Sequence, residues 1–311
     1  MCFHFGAAVW AIPGNTIETF KYILLSFFLK LCAVMPLSWL HLLGRGWGKL
    51  LQLLPNRARE TTARNLAVCF PDLGTANREQ LTSRSLQHTA CTLLEMGKAW
   101  MLPIEKTRDL VVAEEGAEEL RATIASRRGV ILLAPHLSNW EILGFYISKG
   151  IETSFMYQPP SSPAIDRLIK KSRSRSGVKM APTNRKGVSQ VMRALQNGEL
   201  VGILPDQVPP DESGVFAPFF GQPAFTMTLV SKLAQRSGAR VFCGFAQRLP
   251  RGEGFKVVVR EALPGIYDPD LQQSVAAMNA SVQDLVAVAP EQYQWEYKRF
   301  RRQPDDSEFY S

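Results

Sequence analysis

His136 and Glu141 stand five residues apart in the run Gly129-Val-Ile-Leu-Leu-Ala-Pro-His136-Leu-Ser-Asn-Trp-Glu141. An imidazole oriented by a carboxylate is the usual means of taking a proton from a hydroxyl. The apolar run between a glycine and a proline predicts a buried strand, which delivers His136 to the point where the chain leaves a sheet. Of the four histidines, it alone sits where a strand gives way to a helix. Five residues along a straight helix is about 500°, so the two side chains would share no face of one helix. They converge only if His136 lies in the loop and Glu141 in the first helical turn. Ser138-Asn139-Trp140-Glu141 also reads as a capping box, with Ser138 as N-cap and Glu141 at N3. On that reading Glu141 holds a backbone N–H and His136 is a bystander. The spacing leaves both roles open, and one carboxylate oxygen for each would reconcile them.

The elements that position this pair follow a βα rhythm from about residue 116. Helices are expected over 117–127, 138–149, 163–175, 187–197, 224–237 and 270–288, and strands over 129–134, 153–157, 178–181, 200–204, 240–247 and 255–261. The alternation predicts an α/β fold, a mixed, mostly parallel sheet covered by helices on both faces. Functional groups then collect at the C-terminal ends of strands. Asp206-Gln207 directly follow strand 200–204 and fall on the same edge as His136. Asp206 is placed to orient a sugar hydroxyl or the His136 region, or simply to cap its loop. In helix 163–175 the apolar stripe Ile165, Leu168 and Ile169 is narrow, with Arg173 and Arg175 near its edges. Those two can rim a cleft and fork onto phosphate oxygens, or belong to a solvated basic face. Pro218-Phe219-Phe220-Gly221 puts two aromatics in a loop, suited to line an acyl channel or to pack a core.

The run around His136 resembles the His-x4-Asp/Glu motif of the lysophospholipid acyltransferase superfamily, and most of all its lipid A branch, the lauroyl and myristoyl acyltransferases of Gram-negative bacteria. Further matches lie in order along the chain: Asn65-Leu-Ala-Val-Cys-Phe-Pro71; the segment ending Arg173-Ser-Arg175-Ser-Gly177; Leu204-Pro-Asp206-Gln207; Pro218-Phe-Phe-Gly221; and Pro290-Glu-Gln-Tyr-Gln-Trp295 leading to Lys298-Arg299-Phe300. An ordered set of this length is specific where one short motif is not. The resemblance departs at Ser138, where the family often has Gly, and near Tyr297, where it often has His or Arg.

Composition sets the remaining bounds. The 311 residues, 46% of them hydrophobic, suffice for one α/β domain. The net charge of +8 is uneven, with eight Lys or Arg against Asp166 alone between Pro163 and Lys186, and a second cluster at Lys298-Arg299 and Arg301-Arg302. Such charge implies an acidic partner: phosphorylated lipid, anionic membrane, acyl carrier protein or nucleic acid. Aromatics do not interleave with the basic run, which argues against nucleic acid. Five scattered cysteines without CxxC or Cys/His spacing indicate neither a disulfide framework nor a metal site. No G-x-S-x-G elbow or Walker A is present, and Gly44-x-Gly46-x-Gly48 follows a helical run rather than a strand. From Phe20 to Leu43 only Lys21 and Lys30 are charged. An apolar helix over 20–54 is long enough to cross about 30 Å of hydrocarbon, although Lys30 and Pro36 make it an imperfect span. Arg45, Lys49, Arg57, Arg59 and Arg64 follow, with Glu60 the only acid among them, which places the main body in the cytoplasm by the positive-inside rule. The alternative is a helix packed on the domain or a hairpin dipping into one leaflet.

The expectation is a membrane anchor region over 1–54 and an acyltransferase domain over 55–311, at the cytoplasmic side of a bacterial inner membrane. His136 is the general base and Glu141 its orienting carboxylate. By resemblance the donor is acyl-ACP and the acceptor a hydroxyl on a phosphorylated lipid A precursor, and no cofactor is needed because a thioester is already activated. Arg173, with Arg175 in support, and Asp206 and Gln207 would bind substrate, with Phe219 and Phe220 along the chain tunnel. Acylation of glycerol phosphate or lysophosphatidate is the alternative reaction, and a non-catalytic binder of anionic membrane the alternative class.

Overall fold

The computed structural model describes residues 16–310, so residues 1–15 of the expected anchor region lie outside it. Four helices come first, α1 (Thr16–Val34), α2 (Leu37–Leu53), α3 (Arg57–Cys69) and α4 (Thr75–Met101), then a short α5 (Ile104–Arg108). The sheet domain continues with β1 (Val111–Glu115), α6 (Ala117–Ala125), β2 (Val130–Leu133), α7 (Trp140–Ile147), β3 (Thr153–Tyr157), α8 (Pro163–Ser174), β4 (Lys179–Pro182), α9 (Arg185–Gln196) and β5 (Leu200–Ile203). It closes with β6 (Gly214–Phe219), β7 (Gln222–Met227), α10 (Leu229–Ser237), β8 (Arg240–Arg248), β9 (Phe255–Glu261) and α11 (Leu271–Val288).

Seven strands form one sheet in the order β1-β9-β8-β2-β5-β3-β4. Every pairing is parallel except β8 with β9, so the expected mixed, mostly parallel sheet is present. The centre is buried on both sides, which explains why β2 reads Val-Ile-Leu-Leu without polar alternation. Ile131 and Leu133 point into one core with residues of α9, α10 and α11. Val130 and Leu132 point into the other with residues of α2, α4, α6 and α7.

Two expectations fail. The apolar stretch over 20–54 is two helices, not one, because Pro36 lacks an N–H and stands as the N-cap of α2. No described helix is long and apolar enough to cross a membrane. Instead α1 and α2 pack along α4 and leave Phe20, Phe27, Val34, Trp39, Leu42 and Leu53 exposed on their other side. Gly44 and Gly48 permit that packing: a Cβ on Gly48 would meet Gln87 Cα at 2.3 Å. The second failure is the helix expected to begin at 224. Residues 214–227 form a β6–β7 hairpin turned by Phe220 and Gly221, both at positive φ, and α10 begins only at Leu229.

The β4–α9 junction is tight. The Gly187 N–H donates to the N-cap Asn184 Oδ1 at 3.1 Å, and a Cβ there would meet the Pro182 carbonyl oxygen at 1.8 Å. Gly187→Ala should cost about 1–3 kcal/mol by overpacking. At Gly46 an added Cβ meets nothing within 4 Å, so Gly46→Ala should leave thermal stability unchanged or slightly raised. Comparison of the two melting temperatures checks this.

Candidate active site

Strand register builds the site. In the parallel β2–β5 pair Leu133 lies opposite Ile203, and His136 and Asp206 each follow three residues later. Two equal steps from one rung bring them together. The His136 backbone N–H donates to Asp206 Oδ2 at 2.8 Å, and Nδ1 lies 2.9 Å from Oδ1. With its proton on Nδ1, the ring presents an unprotonated Nε2, to which the Gln207 side-chain amide donates at 3.2 Å. Trp140 stands edge-on to the imidazole, with ring centroids 4.6 Å apart. Burial alone would raise the Asp206 carboxyl, but the charge and the hydrogen bonds of His136 outweigh it and hold the carboxyl below its usual value. The Tyr293 phenol is raised well above the ordinary range, by burial first and by the Asp206 carboxylate second.

Glu141 is not on the imidazole. It takes two hydrogen bonds from Arg173, Nη2 to Oε1 at 2.6 Å and Nε to Oε2 at 3.2 Å, both residues being buried. The expected His136–Glu141 pairing is therefore corrected to His136–Asp206. The capping box is corrected as well: Asn139 is the N-cap of α7 and accepts from the Ile142 N–H, which places Glu141 at the second helical position. Ser138 instead sits at φ 55° in the preceding loop.

A cavity of about 1080 Å³ opens in front of this group, lined by His136, Gln207, Glu141 and Arg173 among polar residues and by Leu93, Met96, Trp100 and Trp140 among apolar ones. Arg173 faces it already neutralised by Glu141. Arg175 does not line it, because its guanidinium is spent on the carbonyls of Ala99 and Leu102 at the C-terminal end of α4 and of Ser172 in α8. Phe219 and Phe220 do not line it either. They end the β6–β7 hairpin in an aromatic cluster with Phe70, Tyr293 and Trp295, so the core-packing alternative holds for both. The basic segment disperses in the same way: Lys170 pairs with Asp166, Lys179 with Glu152, and Arg167 stacks on Tyr22. In the C-terminal cluster Arg299 is buried, bonded to the Phe225 carbonyl and Thr226 Oγ1. The cations that line the cavity without a carboxylate partner among the described residues are Lys232 and Arg301.

A second set of residues, absent from any local motif, supports the loop from behind. Glu95, fully buried, takes two hydrogen bonds from Arg248, one from the Asn139 amide, and lies 2.7 Å from His41 Nε2. Burial opposes the charge, but Arg248 and His41 hold the Glu95 carboxyl down at about 2. Thr92 Oγ1 donates to the Ser138 carbonyl at 3.4 Å. The chain end closes the other side: the Gln294 N–H donates to the His136 carbonyl at 3.0 Å, and the Ser138 N–H to the Gln292 carbonyl at 2.8 Å. Positions 41, 95, 139 and 248 share no spacing, so only the buried charges of Glu95 and Arg248 hint at a role.

With this geometry in view, a profile of the family described as bacterial lipid A biosynthesis acyltransferases matches residues 15–302. The lipid A biosynthesis lauroyltransferase of Escherichia coli (strain K12) is 30% identical over 284 residues, covering 89% of this chain and 90% of that one. The lipid A biosynthesis palmitoleoyltransferase of the same strain is 27% identical over 271 residues, covering 87% of each. A crystal structure of the 1-acyl-sn-glycerophosphate acyltransferase of Thermotoga maritima covers 88% of this chain and 98% of its own, at 14% identity and a TM-score of 0.37. At that score it bears on neither site nor substrate.

Proposed function

The chain belongs to the bacterial lipid A biosynthesis acyltransferase family, and from that premise we propose that it moves a fatty acyl chain from an acyl carrier protein thioester to a hydroxyl of a phosphorylated lipid A precursor. The observation that carries the chemistry is His136, anchored through Nδ1 on Asp206 and lining the cavity. The acceptor hydroxyl displaces the Gln207 amide and hydrogen-bonds to Nε2. His136 takes its proton as the oxygen attacks the thioester carbonyl, forming a C–O bond and a tetrahedral intermediate. The intermediate collapses with cleavage of the C–S bond, and the imidazolium returns its proton to the departing thiolate. Asp206 orients the ring and stabilises its protonated form. The Glu141–Arg173 pair fixes the cavity wall. Trp100, Met96 and Leu93 offer apolar surface to an acyl chain, and Lys232 and Arg301 meet anionic groups of either substrate.

The exposed apolar sides of α1 and α2, flanked by Lys30, Arg45 and Lys49, suit an in-plane anchor in the interfacial region of one leaflet. The cytoplasmic leaflet of a bacterial inner membrane is the location that places the cavity beside a lipid acceptor. Replacement of Phe20, Phe27, Trp39 and Leu42 by serine should move the protein from the membrane pellet to the supernatant after lysis, since those side chains contribute nothing to the sheet core. Continued sedimentation with membranes would remove the anchor from these helices.

Mass spectrometry of acyl transfer tests the reaction, with mixed-length acyl carrier protein thioesters and a phosphorylated tetra-acyl disaccharide as acceptor. One added acyl mass, lost in His136→Ala, is expected. Acylation of lysophosphatidate with none on the disaccharide would establish the alternative reaction. Full function retained in His136→Ala would point to a non-catalytic membrane binder.

A further inference from the structure

We infer that the outer face of α9 and α10 is the docking surface for the acidic carrier protein that brings the thioester, a conclusion that rests on the donor reading above. The two helices bury their apolar sides in the same core, Val191, Ala194 and Leu195 beside Val230, Leu233 and Ala234. Their outward sides carry Arg185, Lys186, Arg193, Lys232 and Arg236, all exposed. Arg185 and Arg193 are two helical repeats of four apart, and Lys232 and Arg236 one, so each set shares a side of its helix. Neither helix contains an acidic residue, and none of the five cations forms an ion pair among the described residues.

Elsewhere on the sheet domain several exposed cations are paired, Lys170 with Asp166, Lys179 with Glu152 and Glu199, and Arg251 with Glu253. The α9–α10 face instead gathers five cations that form no ion pair among the described residues, with no acid on either helix. No large exposed apolar side chain lies on either helix, in contrast to α1 and α2. That composition suits a charged protein surface rather than insertion into lipid.

The cavity links the two faces. Val188 of α9, Leu229 and Lys232 of α10 and the exposed Leu93 of α4 all line the cavity that His136 lines. A carrier seated on α9–α10 would thread its thioester-bearing arm past Lys232 while a lipid acceptor enters from the apolar side. The two substrates then meet at His136 without crossing.

Steady-state kinetics of the full chain with acyl carrier protein thioester and disaccharide acceptor tests this. In Arg185→Glu/Arg193→Glu/Arg236→Glu the KM for the carrier thioester should rise about tenfold or more, with its salt dependence flattened. The kcat at saturation and the KM for the acceptor should stay near wild type, and the three single reversals should show graded effects even if the triple variant folds poorly. An unchanged carrier KM, or equal losses for both substrates, would overturn the docking surface alone. Wild-type protein that accepts acyl-CoA but refuses the carrier thioester would overturn the donor reading first, and the docking surface with it.

Discussion

Asp206→Asn should lower kcat by on the order of 10²–10⁴-fold, close to the loss from His136→Ala, while leaving KM for both substrates little changed. The carboxylate accepts two donors at once, the His136 ring N–H and the His136 backbone N–H. An asparagine offers one oxygen and one NH2, so one of those donors must face another donor or the ring must turn its other nitrogen inward. Loss of the acceptor at Nδ1, or a turn of the ring, removes the free Nε2 from the cavity. Single-turnover rates with saturating substrates check the prediction, and wild-type turnover in Asp206→Asn would remove Asp206 from the role. The charge itself is stable through the working range. Because the folded-state carboxyl is depressed, the stabilisation it contributes is present above its unfolded value of about 3.9 and is lost only as the pH falls through the lower folded value. Activity changes between about pH 5 and 8 must therefore come from a group other than this carboxylate.

Breaking the Glu141–Arg173 pair should act mainly on stability. Arg173→Ala strands a buried carboxylate and Glu141→Ala a buried guanidinium, and each should cost about 3–5 kcal/mol. Removing both, as Glu141→Leu/Arg173→Met, should recover much of that loss, because the pair is replaced by packed apolar volume. A double-mutant cycle read by denaturant midpoint and by kcat separates the two readings. If stability returns in the double variant and kcat returns with it, the pair is a wall of the cavity. Stability that returns without activity would restore Glu141 or Arg173 to the chemistry. Both Glu141 oxygens are taken up by the Arg173 guanidinium, which Glu141 holds charged against the opposing effect of burial, and this favours the first outcome.

The place of His136 was legible because an apolar run bounded by Gly129 and Pro135 reads as a buried strand, and His136 stands at its exit. The identity of the carboxylate was not, since a local motif draws attention to Glu141 whereas the parallel register of β2 and β5 selects Asp206 from seventy positions away. Both carboxylates were visible as candidates, and tertiary pairing chose between them. Arg175 and the two phenylalanines illustrate the limit from the other side. Charge and aromaticity are read equally well as ligand-binding or as structural, and the carbonyls around α4 and the hairpin aromatic cluster decide for structure. The hairpin itself was hidden because its two-residue turn is Phe220-Gly221 rather than Asn-Gly, the sequence that usually announces such a turn. Glu95 and Arg248, separated by more than a hundred and fifty residues, leave no trace in spacing at all.

The seam between the His136 loop and residues 292–294 also has a consequence in time. A chain made from its N-terminus can pair β2 with β5 and bring His136 to Asp206 well before the last segment emerges. Until then the His136 carbonyl and the Ser138 N–H lack Gln294 and Gln292, Leu137 lacks its bridge to Tyr293, and Asn65 lacks the carbonyls of Trp295 and Tyr297. At that stage His136 stands beside Asp206 without the backbone contacts that hold its loop. The loop is fixed only when residues 292–297 are made, a late event that joins helix α3 to a segment more than two hundred residues downstream.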